Sequence, residues 1–428
     1  MELLAPAGSV EKLRYAYRYG ADAAYMGLPG FSLRANAENI ADELPESPEI
    51  IRRVKGNRRL FCALNIYFHN ADLRALHEQL DRVAEYPFDA FIVSDIGLLP
   101  ILRKRLPEVP LHLSTQANCT NREAARLYYE MGFTRVVAGR ELSLAEISEI
   151  KDAVPELEIE VFVHGAVCVA YSGRCFISKW AADRSANQGD CAHSCRWNYR
   201  LALEEEQRPG EYHPLELGST AGGSEFTTLM SSKDICMIDH LEELRNAGVD
   251  SLKIEGRIKS LYYVALVTRA YRHALDAPGL PNPFRDDLFA VSHREFSTGF
   301  YFGRDEIATP AVGSYRRTHL FLGSLERDLE SAEPGAEKQK PSAPANGWSP
   351  PLAVKVRNTI TADTALELIG PTTPSVTIAP GEFRLLGPDR EPTERLVNQH
   401  GGFFQLNLSA HPKTTPDESW ILRRPAHQ

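Results

Sequence analysis

The stretch EIEVFVHGAVCVAYSGRC, Glu158 to Cys175, begins as a strand and ends as a loop that carries two thiols with six residues between them. Its first half is apolar and β-branched and stops at Gly165, which is strand chemistry rather than helix chemistry. The short apolar runs ELLAPAG, AAYMGL, LFCALNIY, AFIVSD, LHLSTQA and RVVAGREL precede it, and SLKIEG follows it. Between them lie amphipathic stretches such as SVEKLRYAYRYG, LRALHEQLDRVAEY, NREAARLYYEMG, SLAEISEIKDAV and DHLEELRNAG, several ending in the glycine that often closes a helix. Eight strands, most of them followed by a helix, are the count of an α/β fold of the (β/α)8 TIM-like barrel type. An open doubly wound sheet is the alternative, and the barrel is preferred.

One interval breaks the rhythm. Residues 166–250 separate EIEVFVHG from SLKIEG, where a plain βα unit needs far fewer. The insertion leaves from a strand's C-terminal end, the face on which such barrels do their chemistry, and it holds Cys168, Cys175, Cys191, Cys195 and Cys236. The barrel, with this Cys-rich insertion at about 165–240, is expected to span residues 1–305. Residues 306–351 read as a connecting segment that ends in the linker SAEPGAEKQKPSAPANGWSPP. From 352 to 428, LAVKVRNTI, ALELIG, SVTIAP, EFRLLG and FFQLNL alternate with turn residues and read as a small all-β barrel domain.

The start of the chain has no basic n-region, and no 18 uncharged apolar residues follow one another, so a cytoplasmic protein with no membrane partner is expected. A net charge of −9 excludes binding nucleic acid by bulk positive charge, yet leaves room for a local basic face. Two segments are basic. Arg174, Lys179, Arg184, Arg196 and Arg200 face only Asp183 and Asp190, and Lys253, Arg257, Lys259, Arg269 and Arg272 face only Glu255. Either these are solvated faces or they meet an anionic ligand.

Of the seven cysteines, Cys62 and Cys119 sit in or beside apolar runs and read as core side chains. In a reducing compartment the clustered five point to a metal or to catalysis before disulfides. Their spacing, C-x6-C-x15-C-x3-C-x40-C, lacks the paired C-x2-C knuckles of zinc ribbons. It suits an iron–sulfur cluster best, with zinc or unligated thiols left open. Cys191-x3-Cys195 begins the C-x3-C-x2-C of enzymes that cleave S-adenosylmethionine, but Asn198 stands where the third cysteine belongs. By proximity Cys168, Cys175, Cys191 and Cys195 form one possible ligand set. Cys195 could equally pack inward, and Cys236, at the entry to the helix before SLKIEG, would pin the insertion back onto the barrel.

Ser9 and Lys12 have the S-x-x-K spacing of a serine acylase, but no S-D-N or K-T-G accompanies them, and Ser9 is expected to be a helix N-cap. No G-x-S-x-G or H-E-x-x-H occurs, so no hydrolase machinery is visible. Polar residues at predicted strand ends converge on one cavity in a barrel. Of these, His164, Glu141 and Arg140 are the expected catalytic residues, and Asn65, Gln116, Lys253, Glu255 and Arg257 the expected substrate-binding ones. Arg140, Lys253 and Arg257 together could clamp carboxylates or phosphates.

ELLAPAGSVEKLRYAYRYGADAAYMG, FVHGAVCVAYSGRCFIS, RSANQGDCAHSCRWNY and LMSSKDICMIDHLEELRNAGVDSLKIEGRIKS resemble the collagenase-like peptidase family, peptidase U-32. The likeness covers essentially the first 305 residues, and is greatest to the branch associated with prephenate-dependent tRNA uridine hydroxylation. The resemblance implies an enzyme that converts the wobble uridine of tRNA to 5-hydroxyuridine, with prephenate as co-substrate and a [4Fe-4S] cluster. It also implies Cys168, Cys175, Cys191 and Cys236 as the cluster ligands. The alternative is a collagenase-like peptidase or protein-binding factor with a structural metal site.

Overall fold

A strand covered on both faces needs apolar side chains in both directions, and the first 275 residues supply such strands at regular intervals. In the computed structural model they are β1 (Glu2–Pro6), β2 (Ala23–Gly27), β3 (Arg59–Leu64), β4 (Ala90–Val93), β5 (Leu111–Leu113), β6 (Arg135–Val137) and β7 (Glu158–Ala166). A short β8 (Asp234–Cys236) and then β9 (Ser251–Ile254) follow. The structure describes residues 1–33, 48–197, 199, 202–204, 206–214, 231–304, 315–326, 347–398 and 401–426. Strands β1 to β7 pair in parallel in chain order, and β9 pairs in parallel with both β7 and β1, so eight strands close into a barrel. The expected barrel is therefore the fold.

The helices are α1 (Val10–Arg18), α2 (Pro48–Lys55), α3 (Asn70–Ala84), α4 (Leu99–Arg105), α5 (Arg122–Glu130), α6 (Leu144–Ala153), α7 (Ile177–Ala182), α8 (Leu241–Asn246) and α9 (Leu261–Asp276). Their starts follow local chemistry. Ser9 caps α1 by accepting from the Lys12 backbone N–H at 3.3 Å, and Ser143 with Glu146 forms a capping box on α6. Cys62 and Cys119 are buried, as expected of core thiols.

Alternation along the strands divides two cores. Leu3, Ala5, Met26, Cys62 and Leu64 face the helices, while Leu4, Tyr25, Phe61, Ile92, Val137 and Phe162 fill the barrel interior. Beside that apolar plug runs a buried charged chain. Arg135 Nη1 meets Glu2 Oε1 at 2.6 Å and Glu160 Oε2 at 2.9 Å, and Lys253 Nζ meets Glu160 Oε1 at 2.7 Å. Burial alone would raise the Glu160 carboxyl, but Lys253 and Arg135 outweigh it and hold it at about 2.

The C-terminal region is an antiparallel sheet of eight strands curled around its own core as a half-closed barrel. His319–Glu326 lies in its middle, paired with Ile421–Pro425 on one side and Leu352–Val356 on the other. The expected domain start at 352 is thus corrected, because the sheet begins at 319. The linker read at 331–351 falls between two paired strands, with residues 327–346 outside the described ones. This sheet packs on α1 and α9. Tyr262 stacks on Phe321 at 5.2 Å, Arg269 donates to Gly370 O at 2.7 Å, and Arg423 meets Asp287 at 3.1 Å.

Glu160→Gln should leave the buried Lys253 without its carboxylate, while Arg135 keeps Glu2 and Glu158, and lower stability by about 3–5 kcal/mol, read from urea unfolding; a loss under about 1 kcal/mol would show that the chain is not structural. Acid supplies a second test. His112 also faces the interior, with its Nδ1 buried and without a hydrogen-bond partner among the described residues, and burial followed by the Arg135 charge lowers it to about 3. Between its ordinary value, about 6.5, and that folded value, the unfolded chain takes up a proton that the folded one refuses. Stability from this group is therefore intact above that range and lost as pH falls through it. The unfolding midpoint should fall less steeply from pH 7 to 5 in His112→Asn than in the wild type, and equal slopes would refute it.

Candidate functional site

The C-terminal strand ends open into one cavity that the insertion roofs. Tyr25, Asn65, Gln116, Arg140, Phe162, Lys253, Glu255 and Arg257 line it from the barrel, and Cys168, Tyr171, Cys175, Cys191, His193, Cys195 and Arg196 from the insertion. Six of the eight residues expected at the site, Arg140, Asn65, Gln116, Lys253, Glu255 and Arg257, are thus brought together.

The roof is tied down by specific bonds. Gly173, at φ +73°, packs against the Gln116 carbonyl where any Cβ would collide. Tyr67 OH lies 2.5 Å from Gly173 O and 3.0 Å from Gln116 O, with its one proton for the two carbonyls. Glu141 Oε1 accepts from the Ser172 N–H at 2.6 Å, and Asn187 Nδ2 donates to Cys175 O at 3.0 Å. Glu141, expected to be catalytic, is therefore an anchor of the loop; it lines a side pocket with Arg140, Cys168 and Tyr171 rather than the main cavity.

Cations are held over aromatic faces at the cavity floor. The Arg140 guanidinium lies 4.0 Å from the Phe162 ring centre, and Lys253 Nζ lies 4.4 Å from that of Tyr25. Burial pulls the Lys253 ammonium below its usual range, against the opposing pull of Glu160. Tyr25 OH lies 3.4 Å from Glu255 Oε2. Arg257 donates to Ser32 Oγ and Leu33 O, so it fastens the loop after β2 as well as lining the wall. Arg140 Nε is buried with no hydrogen-bond partner among the described residues, and the Arg140 side chain lines the cavity.

Four thiols share the cavity. Burial raises Cys175 and Cys195, and the charges of neighbouring cavity thiols raise both further. Among the described residues no group of three or more His, Cys, Asp or Glu is arranged to hold a single metal ion. Thiolates are the donors that iron–sulfur clusters and structural zinc ions both take.

Besides Glu141, two expected residues lie outside the cavity. His164 does not line the cavity, because the pairing of β7 with β9 shifts register between Lys253 and Ile254, so that Phe162 stands opposite Lys253 and His164 opposite Ile254. This bulge turns His164 to the helix-facing side, where it packs among Tyr263, Tyr271 and Phe296. Burial, its first cause, lowers His164 to about 3. Cys236 is also outside the cavity. It ends β8, which runs antiparallel to β7 and sets Cys236 opposite His164, with its thiol 4.0 Å from Tyr271 OH. The sequence placed Cys236 at the start of a helix; here it belongs to a strand on the barrel's outer flank.

The second basic segment is not an open face. Lys253, Arg257 and Arg269 are buried, and Arg272 meets Asp22 and Asp276. In the first, Lys179 pairs with Asp183 at 2.5 Å and Arg184 with Asp190 at 2.6 Å, while Arg174 is exposed; Arg200 is outside the described residues. Sequence reading missed Tyr25, Phe162 and Tyr171, whereas Arg196 is part of the first basic segment. An inward aromatic beside an inward lysine on neighbouring strands was the available signal for the first two.

The model of peptidase family U32 matches residues 8–310, and the chain belongs to that family. It is 40% identical over 346 residues to tRNA hydroxylation protein P of Escherichia coli strain K12, covering 70% of this chain and 74% of that one. It is 36% identical over 332 residues to tRNA hydroxylation protein P1 of Bacillus subtilis strain 168, covering 75% and 76%. It is 38% identical over 277 residues to the 23S rRNA 5-hydroxycytidine C2501 synthase of Escherichia coli strain K12, covering 65% and 39%. Among the described residues no helix is long and apolar enough to cross a membrane.

The anchoring role of Glu141 can be tested by proteolysis. Glu141→Ala removes a charge-assisted bond and should speed tryptic cleavage after Arg174 about tenfold or more; an unchanged rate would show that the loop is held by its other bonds alone.

Proposed function

We propose that this protein is a tRNA hydroxylase that forms 5-hydroxyuridine at the wobble uridine, with prephenate as co-substrate and an iron–sulfur cluster held by cavity thiols. The observation that carries the reading is the joint lining of one cavity at the barrel mouth by Cys168, Cys175, Cys191 and Cys195 and by Arg140, Lys253 and Arg257. The relatives' names, tRNA hydroxylation protein P and P1, support the substrate and the reaction type.

Replacing C5–H by C5–OH on uridine adds one oxygen atom and removes two electrons, so the oxygen atom and the electron acceptor have to come from outside the chain; a cluster held by the thiols would supply one-electron transfer, and the chain's own residues bind and orient the reactants. Prephenate is a dicarboxylate, and the guanidinium of Arg140, which lines the cavity, is the group to pair with one carboxylate. Lys253, fixed by Glu160 at 2.7 Å, contributes positive charge at the floor without needing to move. The Phe162 and Tyr25 rings beneath these cations exclude water and strengthen the attraction to an anion.

Cys168, Cys175 and Cys191 belong both to the cavity wall and to the ligand set that the family resemblance implies. Geometry favours Cys195 as the fourth, since Cys195 lines the cavity and Cys236 does not, its thiol lying 4.0 Å from Tyr271 OH. Single Cys→Ser variants purified without oxygen, assayed for iron, sulfide and tRNA modification, test the reading. Cys191→Ser and Cys195→Ser should lose the cluster and the product, and Cys236→Ser should keep both. Zinc in place of iron would overturn the redox reading, and loss of the cluster in Cys236→Ser alone would restore Cys236 as the fourth ligand. Arg140→Gln should keep its iron and raise the prephenate concentration needed for half-maximal modification about tenfold or more; no change would move the anion site elsewhere.

A further inference from the structure

The roof of the cavity exposes three large aromatic side chains within ten residues of chain. Tyr171 is 65%, Phe176 69% and Trp180 81% exposed. Rings left this open are unusual within one short segment, and the fold gives each a fixed place. Tyr171 lines the cavity itself and begins a turn in which the Arg174 N–H donates to its carbonyl at 3.0 Å. Phe176 precedes α7 and Trp180 lies in it, joined by a bond from the Trp180 N–H to Phe176 O at 3.0 Å. Four residues apart on one helical turn, the two side chains share a side.

Cations stand among the rings. Arg174 is exposed and makes no ion pair among the described residues, and Lys179 adjoins Trp180 in sequence. From 168 to 197, Arg174, Lys179, Arg184 and Arg196 outnumber Asp183 and Asp190, opposite in sign to the chain's net charge of −9. Flat exposed rings with interleaved cations match single-stranded nucleic acid, whose bases offer stacking faces and whose phosphates offer charge.

We propose that Tyr171, Phe176 and Trp180 form a stacking platform for the unpaired bases of an RNA loop that presents one nucleotide to the cavity. This rests on the RNA-modifying reading of the cavity and adds how the substrate is held. It makes an unpaired loop, rather than a duplex, the recognised element, because paired bases have no free faces to stack.

The test uses the full-length protein with two synthetic RNAs, a stem-loop with a seven-nucleotide loop and a fully paired duplex of equal length and charge. The wild type should bind the stem-loop more tightly than the duplex. Trp180→Ala and Phe176→Ala should each weaken the stem-loop about tenfold, the loss expected for one stacked base, with duplex binding and iron content unchanged. Trp180→Phe should retain most of the affinity. If both alanine variants bind the stem-loop as the wild type does while the wild type modifies tRNA, the platform is refuted and the hydroxylase reading stands. A wild type that binds neither RNA overturns both. Should the alanine variants instead abolish self-association or vesicle binding with RNA affinity unchanged, the rings serve a protein or a membrane and the proposal is wrong.

Discussion

A carboxylate with no exposed surface, Glu160, sits between Lys253 and Arg135 inside the barrel, and the site above depends on that interaction. A lone charge there would cost several kcal/mol in lost hydration, so each member of the chain Glu2, Arg135, Glu160 and Lys253 requires the next. The consequence for chemistry is positional. Lys253 is fixed from below by Glu160 and from the side by the Tyr25 ring, and this puts a rigid positive charge in the cavity floor. A flexible surface lysine would first have to be ordered at an entropic cost.

The second constraint is a shift of one residue. The bulge between β7 and β9 turns His164 out of the barrel and lets Ala166 return to the cavity wall. β7 therefore outlasts its barrel partners and carries the chain directly into the thiol-bearing roof. The roof, through Gly173 and Ser172, then closes onto the segments after β3 and β6, from Tyr67 and Glu141, and Tyr67 also reaches Gln116 after β5. These bonds bring thiols that are far apart in sequence to one wall.

Much of this was legible in the sequence. The eight barrel strands come from apolar runs, which depend only on local composition, and Ser9 reads as a cap for the same reason. The strand-end rule found Asn65, Gln116, Arg140, Lys253, Glu255 and Arg257, because in a closed barrel all strands end at one mouth. It failed at His164, since alternation cannot reveal a bulge, and at Glu141, whose bond to Ser172 is a tertiary contact. The placing of Cys236 failed because a three-residue strand pairing antiparallel to β7 leaves no periodic signal. Charge counting misled in the same way for Arg257 and Arg269, which are basic in composition but buried in the fold. The C-terminal boundary was misread because the strand His319–Glu326 precedes the linker-like stretch, while its partners follow it.

A rigid cationic floor and a thiol-lined roof meet in one cavity, and this pairing fits RNA hydroxylation. The peptidase label of the family finds no hydrolase motif in this sequence to support it. Nucleoside mass spectrometry of tRNA from a strain lacking the gene tests this most directly. The account predicts that 5-hydroxyuridine and its derivatives are lost, and restored by the wild-type gene but not by one encoding Cys191→Ser; undiminished 5-hydroxyuridine in the deletion strain would contradict it.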